Sequence, residues 1–133
     1  MEKISTNCKK SLSDILNIMA KKRNLVVRMD IKEFLEKNSG GYPIKDIVNF
    51  DGEEYEIRVF LSLDSSDVDY YIEKPLVFFL DKTKNKIMPI GIDSGDNYYC
   101  VNNDSGKVYY WSASEDQFFC IAKSLDEFVK AFV

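Results

Sequence analysis

The hydrophobic pattern is densest between Ile87 and Trp111, where apolar and aromatic residues come in short runs separated by polar corners. Ile87-Met88-Pro89-Ile90-Gly91-Ile92, Tyr98-Tyr99-Cys100-Val101 and Lys107-Val108-Tyr109-Tyr110-Trp111 read as three strands. Asp93-Ser94-Gly95 and Asp104-Ser105-Gly106 stand at the two reversals. Asp and Ser side chains bond back onto their own backbone and Gly accepts a left-handed conformation, so the triplet favours a tight turn. A three-stranded meander cannot bury a face by itself. The flanking segments must supply what packs on it.

Upstream, Leu12, Ile15, Leu16 and Met19 repeat at helical spacing, with Ser11 placed to cap and Lys21-Lys22-Arg23 as a solvated basic end. Asp30 with Glu33 three residues on predicts the start of a second helix whose Ile31, Phe34 and Leu35 face inward. Asn38-Ser39-Gly40-Gly41 and Tyr42-Pro43 end it. Ile47–Phe50 and Tyr55–Leu61 flank Asp51-Gly52, a short hairpin signal, with Tyr55, Ile57, Val59 and Leu61 on the buried face. An acidic connection runs from Ser62 to Asp69. Val68–Leu80 has helical spacing, but Pro75 predicts a kink or two short pieces, and Asp81–Lys86 reads as a polar loop. Gln117–Ile121 is a last extended piece. Ser124 with Glu127 is a capping box, opening a helix with Leu125, Phe128, Val129 and Phe132 on its apolar stripe.

A chain of 133 residues with 45% hydrophobic and 30% charged content predicts one folded domain, residues 1–133, rather than disorder. The net charge of -4 disfavours binding to a phosphate backbone and leaves a basic protein partner open. The N-terminus lacks the apolar stretch of a secretory signal, and Leu76–Leu80 is too short to span a membrane, so the expected location is the cytoplasm. Cys8, Cys100 and Cys120 form no disulfide framework; the last two sit among strand residues and read as core.

Catalytic signals are weak. The chain has no histidine, which removes the commonest general base and metal ligand, and no Cys-x-x-Cys or phosphate-cradling glycine loop. Ile92-Asp93-Ser94-Gly95 has the form of an aspartic-protease loop, but Asp96 follows where a small residue belongs, and the same triplet recurs at Asp104. Asp93, Asp96 and Asp104 lack the dense oxygen ligands of a calcium loop. No enzyme, metal or cofactor is expected. Trp111 reads as core. The adjacent pairs Tyr98-Tyr99 and Tyr109-Tyr110 must each send one ring away from the core, which places tyrosines at a surface.

Four stretches in order carry a resemblance. They are Asp30–Leu35 running into Ser39-Gly40-Gly41-Tyr42-Pro43; Met88–Asp93 with Gly95–Cys100; Gly106-Lys107-Val108-Tyr109-Tyr110-Trp111; and Ile121–Phe128. Together they resemble the SUKH superfamily of bacterial toxin-immunity proteins and fungal cell-wall assembly regulators. Ser39 stands where that pattern has Asn, and Leu125 where Phe is common. The resemblance implies an α+β domain with a mixed, mostly antiparallel sheet and N-terminal and C-terminal helices packed against it. It also implies a non-catalytic immunity protein that neutralises a cognate polymorphic toxin, often a nuclease. The alternative is a regulatory or scaffold domain of the same fold. Charge and loop position single out Asp64, Asp67, Asp69, Glu73, Asp93 and Asp96 as contacts for a basic toxin, joined by Tyr98 and Tyr109.

Overall fold

The computed structural model describes residues 14–132; Cys8, Ser11 and Leu12 lie outside them. Two helices come first, α1 (Asp14–Arg23) and α2 (Met29–Asn38), followed by a hairpin of β1 (Ile47–Phe50) and β2 (Glu53–Glu56). A two-residue strand, β3 (Val59–Phe60), leads through a long connection to α3 (Glu73–Thr83). The meander is β4 (Ile87–Ile92), β5 (Tyr98–Asn102) and β6 (Val108–Ser112), extended by β7 (Gln117–Ala122) and closed by α4 (Leu125–Lys130). The main sheet runs β3-β4-β5-β6-β7 with every neighbouring pair antiparallel. The sheet is thus antiparallel rather than mixed; a parallel bridge joins Ser62 and Tyr71 outside the strands.

Both faces of the sheet are covered. Tyr99, Val101 and Val108 face the larger core, shared with α1, α2, α4 and the hairpin. On the opposite face Ile87, Cys100 and Trp111 close around Phe79 of α3. Phe128 is the hub of the larger core: it is fully buried, stacks on Phe50 at 5.6 Å, and meets Phe34, Tyr99 and Phe132 at 6.2, 6.1 and 5.2 Å. The Ser124 hydroxyl accepts from the Glu127 amide at 3.1 Å, so the capping box sets the direction in which α4 delivers Phe128.

Several local expectations change for tertiary reasons. The second hairpin strand does not run to Leu61. The Ile57 amide donates to Asp46 in the hairpin and the Arg58 amide to Ile92 in the main sheet, so the chain changes sheets between these residues. Pro75 causes no kink, because α3 starts at Glu73 and proline in a first turn displaces no helical hydrogen bond. The helix continues through Asp81–Thr83, which the sequence assigned to a loop, and ends at Lys84 in a left-handed cap. Residue 28, not Asp30, holds the cap position of α2; the Asp30 carboxylate instead pairs with Arg28 at 3.0 Å. Arg23 is not a solvated end, since its guanidinium bonds Asp81 of α3 at 2.7 Å and Asn85, just beyond that helix, at 3.1 Å. Cys100 is buried as expected, but Cys120 is exposed on β7, the outer strand.

Two of the family-like glycines have a visible cause. Gly106 has φ +79°, and a Cβ there would sit 2.8 Å from the Arg28 guanidinium. That arginine reaches across to the Asp104 carbonyl at 3.0 Å and ties the β5–β6 turn to the start of α2. Gly40 has φ +67° and lies against Ser62 and Asp67. There the chain runs beside β3, with the Phe60 amide donating to the Gly41 carbonyl at 2.9 Å and the Leu63 amide to the buried Ser39 hydroxyl at 2.8 Å.

Three outcomes follow from this packing. Phe128→Ala lowers unfolding stability by about 3–5 kcal/mol in urea titrations, the range for truncating a buried aromatic. Burial holds the Tyr99 and Tyr110 phenols above their ordinary range, reinforced at Tyr110 by its hydrogen bond to Asp93. An unfolded tyrosine loses its proton near pH ~10. The stability tied to these two phenols is therefore complete below that pH and is lost as pH climbs towards the raised folded values. Thermal melts of the native protein fall with pH above about 10, and the Tyr99→Phe/Tyr110→Phe protein shows a shallower fall. In a Cys8→Ser background a thiol reagent modifies Cys120 in the native protein and reaches Cys100, whose thiol burial pushes up, only on unfolding.

Candidate partner-binding surface

The corner between β4 and β5 is built around one carboxylate. Asp93 accepts from the amides of Gly95 and Asn97 at 2.9 and 2.8 Å, from the Asn97 side chain at 3.1 Å, and from the Tyr110 hydroxyl at 2.8 Å. Asn97 in turn accepts from the Ala113 amide at 2.8 Å, so this corner and the β6–β7 turn are locked together. Ser94 donates its amide and hydroxyl to Glu56, which anchors the hairpin to the same corner. The lock leaves Asp96 at φ 64° with its side chain exposed.

Beside that corner lies an open cleft of about 420 Å³ between α3 and the sheet, lined by Lys74, Pro75, Phe78, Asp96, Tyr98, Trp111 and Ala113. Its walls are aromatic. Phe78 is 47% exposed and meets Trp111 edge-on at 5.6 Å; Tyr98 lies 6.3 Å from Trp111. Trp111 is held from behind, with Phe79 perpendicular at 5.1 Å and its indole nitrogen donating to Asp116 at 3.0 Å. Lys82 approaches the same carboxylate at 2.7 Å, and these two hydrogen bonds, lysine's first, hold the Asp116 carboxyl below its usual range. Asp116 is thus committed to the wall. Burial, then the charge of Asp96, raises the Tyr98 phenol, which stays a neutral donor at neutral pH.

The sequence candidates separate into groups. Asp96 and Tyr98 meet at the cleft, and exposed Glu73 precedes Lys74 at the start of α3. Asp93 is filled by internal hydrogen bonds. Asp64 caps its own turn, accepting from the Ser66 amide and hydroxyl at 2.9 and 2.8 Å, and Asp67 accepts from the Tyr70 amide at 3.3 Å. Asp69 is exposed on that connection and does not line the cleft. Tyr109 is half-buried near Phe118 at 6.3 Å, on the Trp111 face of the sheet. Asp104 sits at the far end of β5 from Asp93 and Asp96, so the three do not converge. Among the described residues no group of three Cys, Asp or Glu side chains is placed to hold a metal ion. None of their helices is long and apolar enough to cross a membrane.

Phe78 is the residue that the sequence reading missed. The signal was present: Leu76–Leu80 is a continuous apolar run, and one helix face cannot bury all of it. With Leu76, Phe79 and Leu80 inward, Phe78 must turn outward.

The comparisons agree with this architecture. A crystal structure of a protein from Pseudomonas syringae pv. tomato superposes with a TM-score of 0.57 at 20% identity, covering 97% of this chain and 86% of that one. An SPbeta prophage-derived uncharacterized protein, YokK of Bacillus subtilis (strain 168), is 33% identical over 66 residues, 47% of this chain. That match takes in 34% of the relative's own length. The profile of the SMI1 / KNR4 family (SUKH-1) matches residues 13–131, and with it the four ordered motifs and the covered antiparallel sheet find one explanation: the chain belongs to the SMI1/KNR4 family, SUKH-1.

Proposed function

We propose that this chain is an immunity protein: a cytoplasmic, non-catalytic SUKH-like domain spanning residues 1–133 that binds a cognate toxin and neutralises it by occupying its surface. The family is typically associated with toxin immunity. The observation that carries the reading is the cleft itself. Phe78, Tyr98 and Trp111 offer rigid aromatic area, and exposed Asp96 gives it a charged lip. Aromatic rings set in a partly desolvated pocket are what protein interfaces use as anchors. A cationic side chain from the partner gains twice here, from the ring faces and from the carboxylate. The acidic balance of the whole chain favours rapid encounter with a basic toxin, a nuclease among the candidates. Glu73 and Asp69 extend that field around the start of α3, while Asp64, Asp67 and Asp93 support the loops that present it. Tyr109 adds to the aromatic surface farther along the sheet.

Co-expression with the product of the adjacent gene tests the reading by growth rescue and co-purification. The native chain rescues and elutes as a one-to-one complex. Phe78→Ala and Asp96→Asn, the latter keeping a residue that tolerates the left-handed φ of 64°, each weaken that complex by about tenfold or more, in line with loss of an interface anchor, and leave the melting temperature within a few degrees. A harmless neighbour, or arrest without rescue, favours the regulatory or scaffold reading of the same fold.

A further inference from the structure

The two outer strands of the main sheet are not equivalent. Beside β3 the backbone of Gly40-Gly41 takes up hydrogen bonds, through Phe60 to Gly41 and Gly40 to Leu61. Beyond β7 no strand pairs among the described residues. That strand, Gln117-Phe118-Phe119-Cys120-Ile121-Ala122, has no charged residue and no proline, the usual devices that discourage strand addition. Its register against β6 is regular from Gln117 to Cys120, and the one irregularity falls beyond, at Ile121.

The two sides of this edge differ in chemistry. Phe119, 41% exposed, shares a notch of about 250 Å³ with the tip of the hairpin, where Asp51 and Glu53 are exposed. Tyr55 registers their field. Burial raises its phenol first, and the charges of Glu53 and Asp51 raise it further. On the other side Phe118 lies opposite Trp111, continuing the aromatic surface of the cleft.

We propose that the outer edge of β7, which pairs with no other described strand, accepts an extended segment of the protein partner as an added strand, one whose side chains alternate basic and apolar. This rests on the partner-binding reading above and names how the partner is held. Main-chain hydrogen bonds supply attachment, and the alternation supplies selectivity: basic side chains meet Asp51 and Glu53, apolar ones meet Phe118. A second copy of this chain fits worse. Two-fold pairing along β7 sets two acidic hairpin tips on the same face of the joined sheet, where like charges oppose association.

The probe is an acetylated, amidated Lys-Val-Lys-Val-Lys-Val-Lys peptide, followed by NMR titration and amide hydrogen exchange on the full chain at low salt. Binding slows exchange at Gln117–Cys120 and shifts the Asp51–Glu53 tip. The Glu-for-Lys peptide and a peptide N-methylated on its valines both fail to do so. Asp51→Asn/Glu53→Lys, which keeps a residue tolerant of the left-handed φ of 52° at position 51, weakens the lysine peptide by about tenfold. Equal binding by the N-methylated peptide reduces the effect to charge attraction and overturns the proposal. So does a perturbation that misses β7, or edge protection already present in the free protein and rising with concentration, which assigns the edge to a second copy. Because no toxin is involved, failure of growth rescue leaves this result standing. Conversely, rescue and toxin affinity unchanged in Asp51→Asn/Glu53→Lys overturn the edge alone.

Discussion

The packing of Phe128 is the constraint on which the rest depends. One ring from the last helix touches α2 through Phe34, the hairpin through Phe50 and the centre of the sheet through Tyr99. These elements are far apart in sequence, and each alone exposes an apolar face. A helix of six residues has little stability of its own, so α4 forms because its stripe is buried and its first turn is capped. Around it Phe60 meets Phe34 at 5.3 Å and Phe132 at 6.0 Å, which carries the same aromatic network to β3.

A second layer of constraint is polar. Corners of a meander are normally the loosest part of a sheet, yet here each is tied to a distant segment. Asp93 binds Tyr110 and the turn amides, Ser94 binds Glu56, and Asn97 binds the next turn. At the opposite end Asn103 accepts from the Arg28 amide and donates to the Val26 carbonyl, both at 2.8 Å, and Arg28 reaches Asp104. These contacts decide which acidic residues are occupied and which remain available. Asp93 and Asp96 look alike in sequence but differ in role. The first is consumed in holding the corner; the second stands at the cleft because the corner is held.

The two candidate contact regions share a boundary. Trp111 lines the cleft and pairs across the sheet with Phe118 on β7. Phe79 of α3 supports both rings, at 5.1 Å from Trp111 and 6.0 Å from Phe118. Rings already packed against one another lose little further side-chain entropy in any association they enter.

Much of this is legible in the sequence. Hydrophobic periodicity placed β4, β5 and β6, the Ser124 capping box placed α4, and Asp-Ser-Gly marked the corners, because those signals depend only on neighbours along the chain. The ordered motifs carried the family. What the sequence could not decide was set by contacts between distant residues. Sheet membership turned the chain at Ile57 and Arg58, where one amide answers the hairpin and the next answers the main sheet. Docking against the sheet turned Phe78 outward, and β7's place at an edge left Cys120 exposed. Hydrogen bonds across the corner separated a structural Asp93 from an available Asp96. Local pattern determines which segments form helix or strand; which of their side chains remain free for a partner is settled only when the layers close.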